Sequence, residues 1–141
     1  MRLSMLRYLL CINLLLSVIT ARAQVTFPSH EGERARYTAY IEMSRGYISG
    51  VCILVKEEGL IKGSLFNEFG ITALDFNYDP RHQKIHLHSV ISMMDKWYIR
   101  RVLKKDLVQL MLRLQQGQYC YKNERQHITY QFTPIANEVT Q

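Results

Sequence analysis

Short stretches of alternating apolar and polar residues fill the middle of the chain and predict a series of β-strands. In the first stretch Tyr37, Ala39 and Ile41 are separated by single residues, so their side chains fall on one face of a strand. The same pattern predicts five strands, at Arg36 to Ser44, Tyr47 to Lys56, Leu60 to Phe66, Ile71 to Tyr78 and Lys84 to Ile91. Because only two to five residues separate neighbouring strands, the sheet is predicted to be antiparallel.

The spacing of apolar residues changes after Asp95 and predicts a helix up to Gln116. Apolar side chains recur there at intervals of three and four residues, from Ile99 to Leu114. Gly117 is suited to end the helix, whereas Asp106 could cap a second helix, so a break near the middle is also predicted. Two further strands are predicted, at Gln118 to Lys122 and Gln126 to Thr133.

These elements predict an α+β fold: a curved antiparallel sheet, or incomplete β-barrel, with one helical segment packed on its concave side. We predict a lead-in segment at residues 24–34, a single curved-sheet domain at residues 35–133 and a tail at residues 134–141.

The first 23 residues have the pattern of a secretory signal peptide. Arg2 and Arg7 precede an apolar run from Leu9 to Ile19, and Ala21-Arg22-Ala23 is a typical cleavage site. The run is shorter than the roughly 18 residues that usually span a bilayer, which disfavours a transmembrane anchor. We therefore expect cleavage near Ala23 and a soluble periplasmic or secreted protein.

Charge and cysteine content narrow the function only slightly. The chain has 18 Lys and Arg against 12 Asp and Glu, and loss of Arg2, Arg7 and Arg22 with the signal would leave 15 minus 12, or +3. That excess is too small to indicate nucleic-acid binding. Cys52 and Cys120 would remain, either as a disulfide or as two buried apolar side chains.

The predicted strands carry bulky apolar groups on both faces. In the second strand Val51, Ile53 and Val55 oppose Cys52 and Leu54, but one helix can cover only one side of a sheet. The other side is expected to be buried, because large exposed apolar patches are rare on soluble monomers. The sheet could curl into a packed barrel, another chain could cover it, or an apolar ligand could occupy the concavity.

A G-S-L-F segment leads into "FGITALDFNYDP", and the helix begins with "DKWYIRRVLKKDL". With the signal peptide and the five hairpin-linked strands, these segments resemble small periplasmic proteins of Bacteroides-type bacteria. Those are similar in layout to the lipoprotein carrier and receptor (Lol-type) superfamily. The resemblance covers about residues 35–133 and implies an incomplete barrel, lidded by helices, that holds acyl chains in its hollow.

We accordingly predict an exported, soluble protein that binds an apolar ligand, such as a lipid or the acyl chain of a lipoprotein. The alternative is a non-catalytic structural or interaction domain whose second apolar face is covered by a partner or by self-association. The predicted ligand-lining residues are the bulky side chains at even-numbered positions, which could equally be core: Tyr40, Leu54, Phe66, Leu74, Phe76 and Tyr78.

Polar constellations give little support to catalysis or metal binding. His86 and His88 would project together from one strand, near His82, but the neighbouring Lys84 disfavours a cation. Asp75 and Asp79 could be paired acids, although Asp79 before Pro80 is explained as a turn residue. No nucleophile, phosphate-loop or zinc-protease motif is present, so we predict no enzyme activity, no cofactor and no metal.

The helix carries a cluster of basic residues together with Trp97 and Tyr98. These cations could contact an anionic membrane or an acidic partner, or they could simply be the solvated side of an amphipathic helix. The basic residues are Lys96, Arg100, Arg101, Lys104 and Lys105.

Overall fold

A computed structural model describes residues 4–5, 7–8 and 26–136. The predicted apolar run from Leu9 to Ile19 and the predicted cleavage site near Ala23 lie outside the described residues, as do residues 137–141 at the end of the predicted tail.

Seven strands form one antiparallel sheet in the described part of the chain. The strands are β1 (Arg34–Met43), β2 (Gly46–Glu57), β3 (Leu60–Asn67), β4 (Thr72–Asp79), β5 (Lys84–Val90), β6 (Cys120–Asn123) and β7 (Ile128–Pro134). Their order in the sheet is β5-β4-β3-β2-β1-β7-β6, so β5 and β6 are the edge strands. A short 3-10 turn (Ser92–Met94) leads into the helix α1 (Trp97–Gln115).

The sheet curls into a half-barrel, and α1 lies on its concave side in contact with β5 and β6. Five apolar side chains on the inner side of the helix have no solvent exposure: Leu103, Leu107, Leu110, Met111 and Leu114. The helix therefore bridges the two edges of the sheet and buries the concave face. The predicted α+β half-barrel is confirmed.

The inward-facing residues change from odd to even numbers between one strand and the next. Leu54 on β2 lies opposite Ala35 on β1 and Gly63 on β3, so inward residues have even numbers on β2 but odd numbers on its neighbours. This change of parity follows from the lengths of the turns, because a residue and its cross-strand partner share one face of a sheet.

The predicted break in the helix is wrong. α1 continues through Asp106, which is buried instead of capping a new helix. Its carboxylate accepts hydrogen bonds from the Tyr130 hydroxyl at 2.7 Å and from the Asn123 amide at 2.9 Å. These bonds offset the cost of burying an acid and tie the helix to β6 and β7. Gly117, with φ of 75°, follows the helix in the left-handed conformation that its position predicts.

Candidate functional site

The structure divides the six predicted ligand-lining residues between the two faces of the sheet. Leu54 and Leu74 have no exposure, and Phe76 and Tyr78 are only 1% exposed, all on the concave face beneath α1. Tyr40 and Phe66 lie on the outer face, where Tyr40 stacks on Tyr47 with ring centroids 5.4 Å apart. Even-numbered residues therefore do not all lie on one face, because the inward-facing residues change between odd and even numbers at each hairpin.

Protein side chains fill the concave face around these four buried residues. Phe76 pairs directly with Gly63, and a Cβ added to Gly63 would overlap the Phe76 ring. The ring thus occupies the space that a side chain at position 63 would need. A site for a ligand must therefore be sought elsewhere in the half-barrel.

One end of the half-barrel, which we call the open end, is formed by residues 43–47, 67–71, 91–101 and 124–127. These segments are the β1–β2 turn, the β3–β4 loop, the connection from β5 into α1, and the β6–β7 turn. The opposite end, the closed end, is formed by residues 26–33, 57–60, 79–84 and 115–119. The strand register places the β1–β2, β3–β4 and β6–β7 turns at one edge of the sheet and the β2–β3 and β4–β5 turns at the other. The curl of the sheet nevertheless brings Gln83 of the β4–β5 turn and Arg125 of the β6–β7 turn to one cavity.

A cavity of about 560 Å³, the end cavity, lies at the open end between the β1–β2 turn, the start of α1 and β7. This volume falls within the range of about 300–1,000 Å³ that is typical of small-molecule sites. Its apolar lining consists of Met43, Met93, Tyr98, Ile99, Val102 and Ile128. Flexible methionine and branched aliphatic side chains of this kind suit an apolar ligand of variable shape.

The charged groups that line the end cavity are both cations. Arg45 and Lys96 line it together with the uncharged Ser44, Gly46 and Gln126. Lys96 is also the residue before α1, where no side chain caps the helix and the first turn carries no acid. The positive end of the helix dipole therefore adds to the two cations, and the cavity entrance favours an anionic group.

A second cavity of about 510 Å³ lies beside the first and is more polar. Val102 and Gln126 line both cavities, whereas Val108, Gln109 and Asp106 line only the second. Burial raises the pKa of Asp106, while its hydrogen bonds from Tyr130 and Asn123 act in the opposite direction. The geometry gives this acid a structural role, because both carboxylate oxygens are engaged by protein donors.

The histidines and acids considered from the sequence do not converge. Lys84, His86 and His88 project outward from β5, as predicted for the two histidines, while Ile85 is buried. Asp79 accepts a backbone hydrogen bond from Arg81 at 3.0 Å and contacts the His82 ring at 2.8 Å. The His82 contact lowers the Asp79 pKa, and the turn role predicted for Asp79 agrees with this geometry. Within residues 26–136, no three His, Cys, Asp or Glu side chains form a group that could hold a metal ion.

Cys52 and Cys120 are both free thiols on separate parts of the sheet. Cys52 is buried on β2, where burial raises its pKa to about 12, and Cys120 is exposed on β6. Strands β1 and β7 lie between them, which corresponds to roughly 14 Å along the sheet, twice the usual Cα separation of a disulfide. A disulfide between Cys52 and Cys120, which the sequence allowed, does not fit this geometry.

No protein-family model matches this chain, and no curated protein or solved structure is significantly similar to it. The resemblance to the lipoprotein carriers therefore stays a prediction. In the described part of the chain, no helix combines the length and apolar character that crossing a bilayer requires.

Sequence reasoning did not find the end cavity, although it singled out some of the neighbouring residues. The cavity is assembled from segments that are distant in sequence, such as Met43, Val102 and Ile128. The segment "KWYI" was the sequence feature that pointed to this cavity, because it places aromatic residues beside a cation at the first turn of the predicted helix.

Proposed function

We propose that this protein binds an amphipathic anion, such as a fatty acid or another anionic lipid, in the end cavity. The apolar chain contacts Met43, Ile99 and Val102, and the anionic group lies near Arg45 and Lys96. The observation that carries the proposal is the lining of this cavity, which combines six apolar side chains with two cations and no acid.

The physical basis is apolar transfer supplemented by charge. Burial of apolar surface contributes about 25 cal/mol for each Å², which favours acyl chains without demanding one chain length. An anionic headgroup adds charge-assisted hydrogen bonds, each of which contributes about 1.5–3 kcal/mol. The predicted role as an exported lipid or lipoprotein acyl-chain binder is retained in this proposal, but its site moves from the sheet interior to the end cavity.

The first experiment is a titration of the purified protein with a dansylated fatty acid, followed by displacement with palmitate. A Val102→Phe substitution should fill the apolar part of the end cavity and weaken binding at least about ten-fold. Val108→Phe is the matched control, because Val108 is equally half-buried on the same helix but lines only the second cavity. Equal binding by the two variants would contradict the proposed site.

The second experiment separates the apolar from the ionic contribution. The Arg45→Gln/Lys96→Gln variant should lose affinity for palmitate by at least about ten-fold, the loss that corresponds to a single charge-assisted contact. It should bind the uncharged alcohol of the same chain as well as the unaltered protein does. Native mass spectrometry of the purified protein adds a direct test. A mass that never shifts with added lipid would overturn the proposal.

A second candidate function has its own observation in the outer face of the sheet. Val51, Ile53 and Val55 form a partly exposed apolar row on the outer side of β2, with Phe66 directly opposite Val51. Such a row favours an interaction domain covered by a protein partner or by a second copy. Sedimentation velocity over a range of concentrations tests self-association, and a persistent monomer would exclude it.

A further inference from the structure

The open end exposes large apolar side chains that most soluble proteins would cover. Trp97 is 75% exposed and Phe69 is 83% exposed, and both lie at this end. Within residues 26–136, every exposed large hydrophobic side chain belongs to the open end: Tyr47, Phe69, Ile71, Met93, Trp97 and Tyr98. Isolated exposed apolar residues are common, but confinement to one end marks a contact surface.

Shared contacts make these side chains one continuous surface. Tyr47, Phe69 and Met93 line a groove of about 250 Å³, and Met93 also lines the end cavity with Tyr98. The Trp97 ring packs edge-on against Tyr98, with ring centroids 5.8 Å apart. The β3–β4 loop and the first turn of α1 therefore present their aromatic groups together.

Cations surround the same aromatic groups. Trp97, Arg101 and Lys104 are all exposed, and their spacing of four and three places them on one side of α1. In the described residues neither Arg101 nor Lys104 lies within ion-pair distance of a carboxylate, whereas Arg100 is paired with Asp95 at 3.1 Å. The charges of Arg101 and Lys104 are thus available to a partner.

The sign of the charge also differs between the two ends. The open-end segments contain five Lys and Arg against three Asp and Glu, or +2. The closed-end segments contain two Lys and Arg against five Asp and Glu, or −3. Lys62 pairs with Glu57 at 3.2 Å and Lys56 contacts the Ser29 carbonyl at 2.9 Å, which reduces the negative charge of the closed end. An anionic surface would therefore favour the open end over the closed end.

We propose that the open end docks on the surface of an anionic lipid bilayer through Phe69, Met93, Lys96, Trp97 and Arg101, together with Lys104 on the next turn of α1. Tryptophan and tyrosine favour the boundary between lipid headgroups and acyl chains, and Arg and Lys favour anionic headgroups. The combination of exposed aromatic groups with surrounding cations on one face matches proteins that lie on a membrane surface. This inference does not depend on the end cavity holding a ligand.

The sequence supplies its own probe, because Trp97 is the single tryptophan of the chain. The full-length protein is mixed with vesicles of phosphatidylcholine alone or of phosphatidylcholine with phosphatidylglycerol, and binding is measured by co-sedimentation and by Trp97 fluorescence. We expect sedimentation and a blue shift with the anionic vesicles only. Both should be reversed by about 0.5 M salt, where screening shortens the range of the attraction to a few Å.

The Arg101→Glu/Lys104→Glu variant should weaken binding to anionic vesicles at least about ten-fold. The matched control is Arg81→Glu/Lys84→Glu, which makes the same change in net charge with two exposed residues at the closed end. Equal losses in the two variants would overturn the proposal, because they would show a general effect of net charge. An absence of binding to anionic vesicles would also overturn it and would favour an acidic protein partner.

The failure of this inference can be distinguished from the failure of the proposed ligand site. Equal blue shifts with both kinds of vesicle would show that anionic headgroups are not required and would overturn the docking proposal, without bearing on the end cavity, which Trp97 does not line. Conversely, the Val102→Phe variant should still sediment with anionic vesicles, because its substitution lies inside the end cavity.

Discussion

The two ends of the half-barrel consist of similar turns and loops but differ in the side chains that they present. At the closed end, the Glu31 carboxylate accepts backbone hydrogen bonds from Glu58 at 3.0 Å and from Gly59 at 2.8 Å. At the open end, Phe69 and Trp97 point their rings into solvent instead. The open end satisfies its backbone in the same way, since the Asn67 side chain accepts hydrogen bonds from the amides of Phe69 and Ile71 at 3.0 Å. The two ends therefore differ in exposed apolar surface and not in their hydrogen bonding.

This difference distinguishes residues that stabilise the fold from residues that are free to bind a partner. Burial of Leu107 and Phe76 beneath the helix stabilises the half-barrel, and none of that core depends on the exposed aromatic groups of the open end. Large aromatic side chains that are exposed together without adding to the core are expected to serve binding.

Leu107→Ala should lower the free energy of unfolding by about 2–5 kcal/mol, because it opens a cavity between α1 and the sheet. Trp97→Ala removes a larger side chain from the same helix, but it should change stability by no more than about 0.5 kcal/mol. Urea unfolding monitored by far-ultraviolet circular dichroism measures both. A large loss from Trp97→Ala would mean that the open end belongs to the core.

Gly63→Ala should destabilise the fold by about 1–3 kcal/mol, because the added methyl group overlaps the Phe76 ring. The cost should fall in a Phe76→Leu background, where the facing side chain is smaller. A double-mutant cycle of unfolding free energies checks this coupling. Additive costs would show that the methyl group added at position 63 does not contact the side chain at position 76.

Asp106 should give the stability a pH dependence that Asp106→Asn lacks. Burial raises the folded-state pKa of Asp106 above its unfolded value, so folding favours the protonated acid. Its stabilising contribution is therefore complete below the unfolded pKa of about 3.9 and is lost as pH rises through the folded pKa. The difference in unfolding free energy between the protein and Asp106→Asn should decline over that interval. A difference that grows with pH would contradict the assigned direction.

Glu31→Ala should cost about 1 kcal/mol, because the amides of Glu58 and Gly59 lose their acceptor in an exposed turn. Phe69→Ser at the open end is the counterpart and should leave stability unchanged within about 0.5 kcal/mol. Thermal unfolding of the two variants compares the ends directly. A greater loss from Phe69→Ser would reverse the roles assigned to the two ends.

The sequence predicted the fold closely because the periodicities are strong and the turns short. Each predicted strand and the helix occur within about two residues of their predicted bounds. The break at Asp106 was wrong because Tyr130 and Asn123, which hold this acid within the helix, are distant in sequence. The spacing of apolar residues indicates one helix or strand at a time and gives no information about its tertiary partners.

The candidate site was less predictable than the fold, for a reason visible in Leu54 and Phe66. Both have even numbers, yet they lie on opposite faces, because the residues of β2 that face inward pair with odd-numbered residues of β3. Counting through each hairpin would have corrected this assignment. The end cavity depends in addition on how the β1–β2 turn meets the start of α1, and no local pattern specifies that arrangement.

The central claim is that the open end receives the acyl chain of an anionic lipid, and a titration with palmitate followed by amide chemical shifts tests it most directly. The account predicts concentration-dependent shifts at Met43, Gly46, Ile99 and Val102, with none at Gly59 of the closed end. Shifts centred on Leu54 and Phe76, or the absence of any shift at the open end, would contradict it.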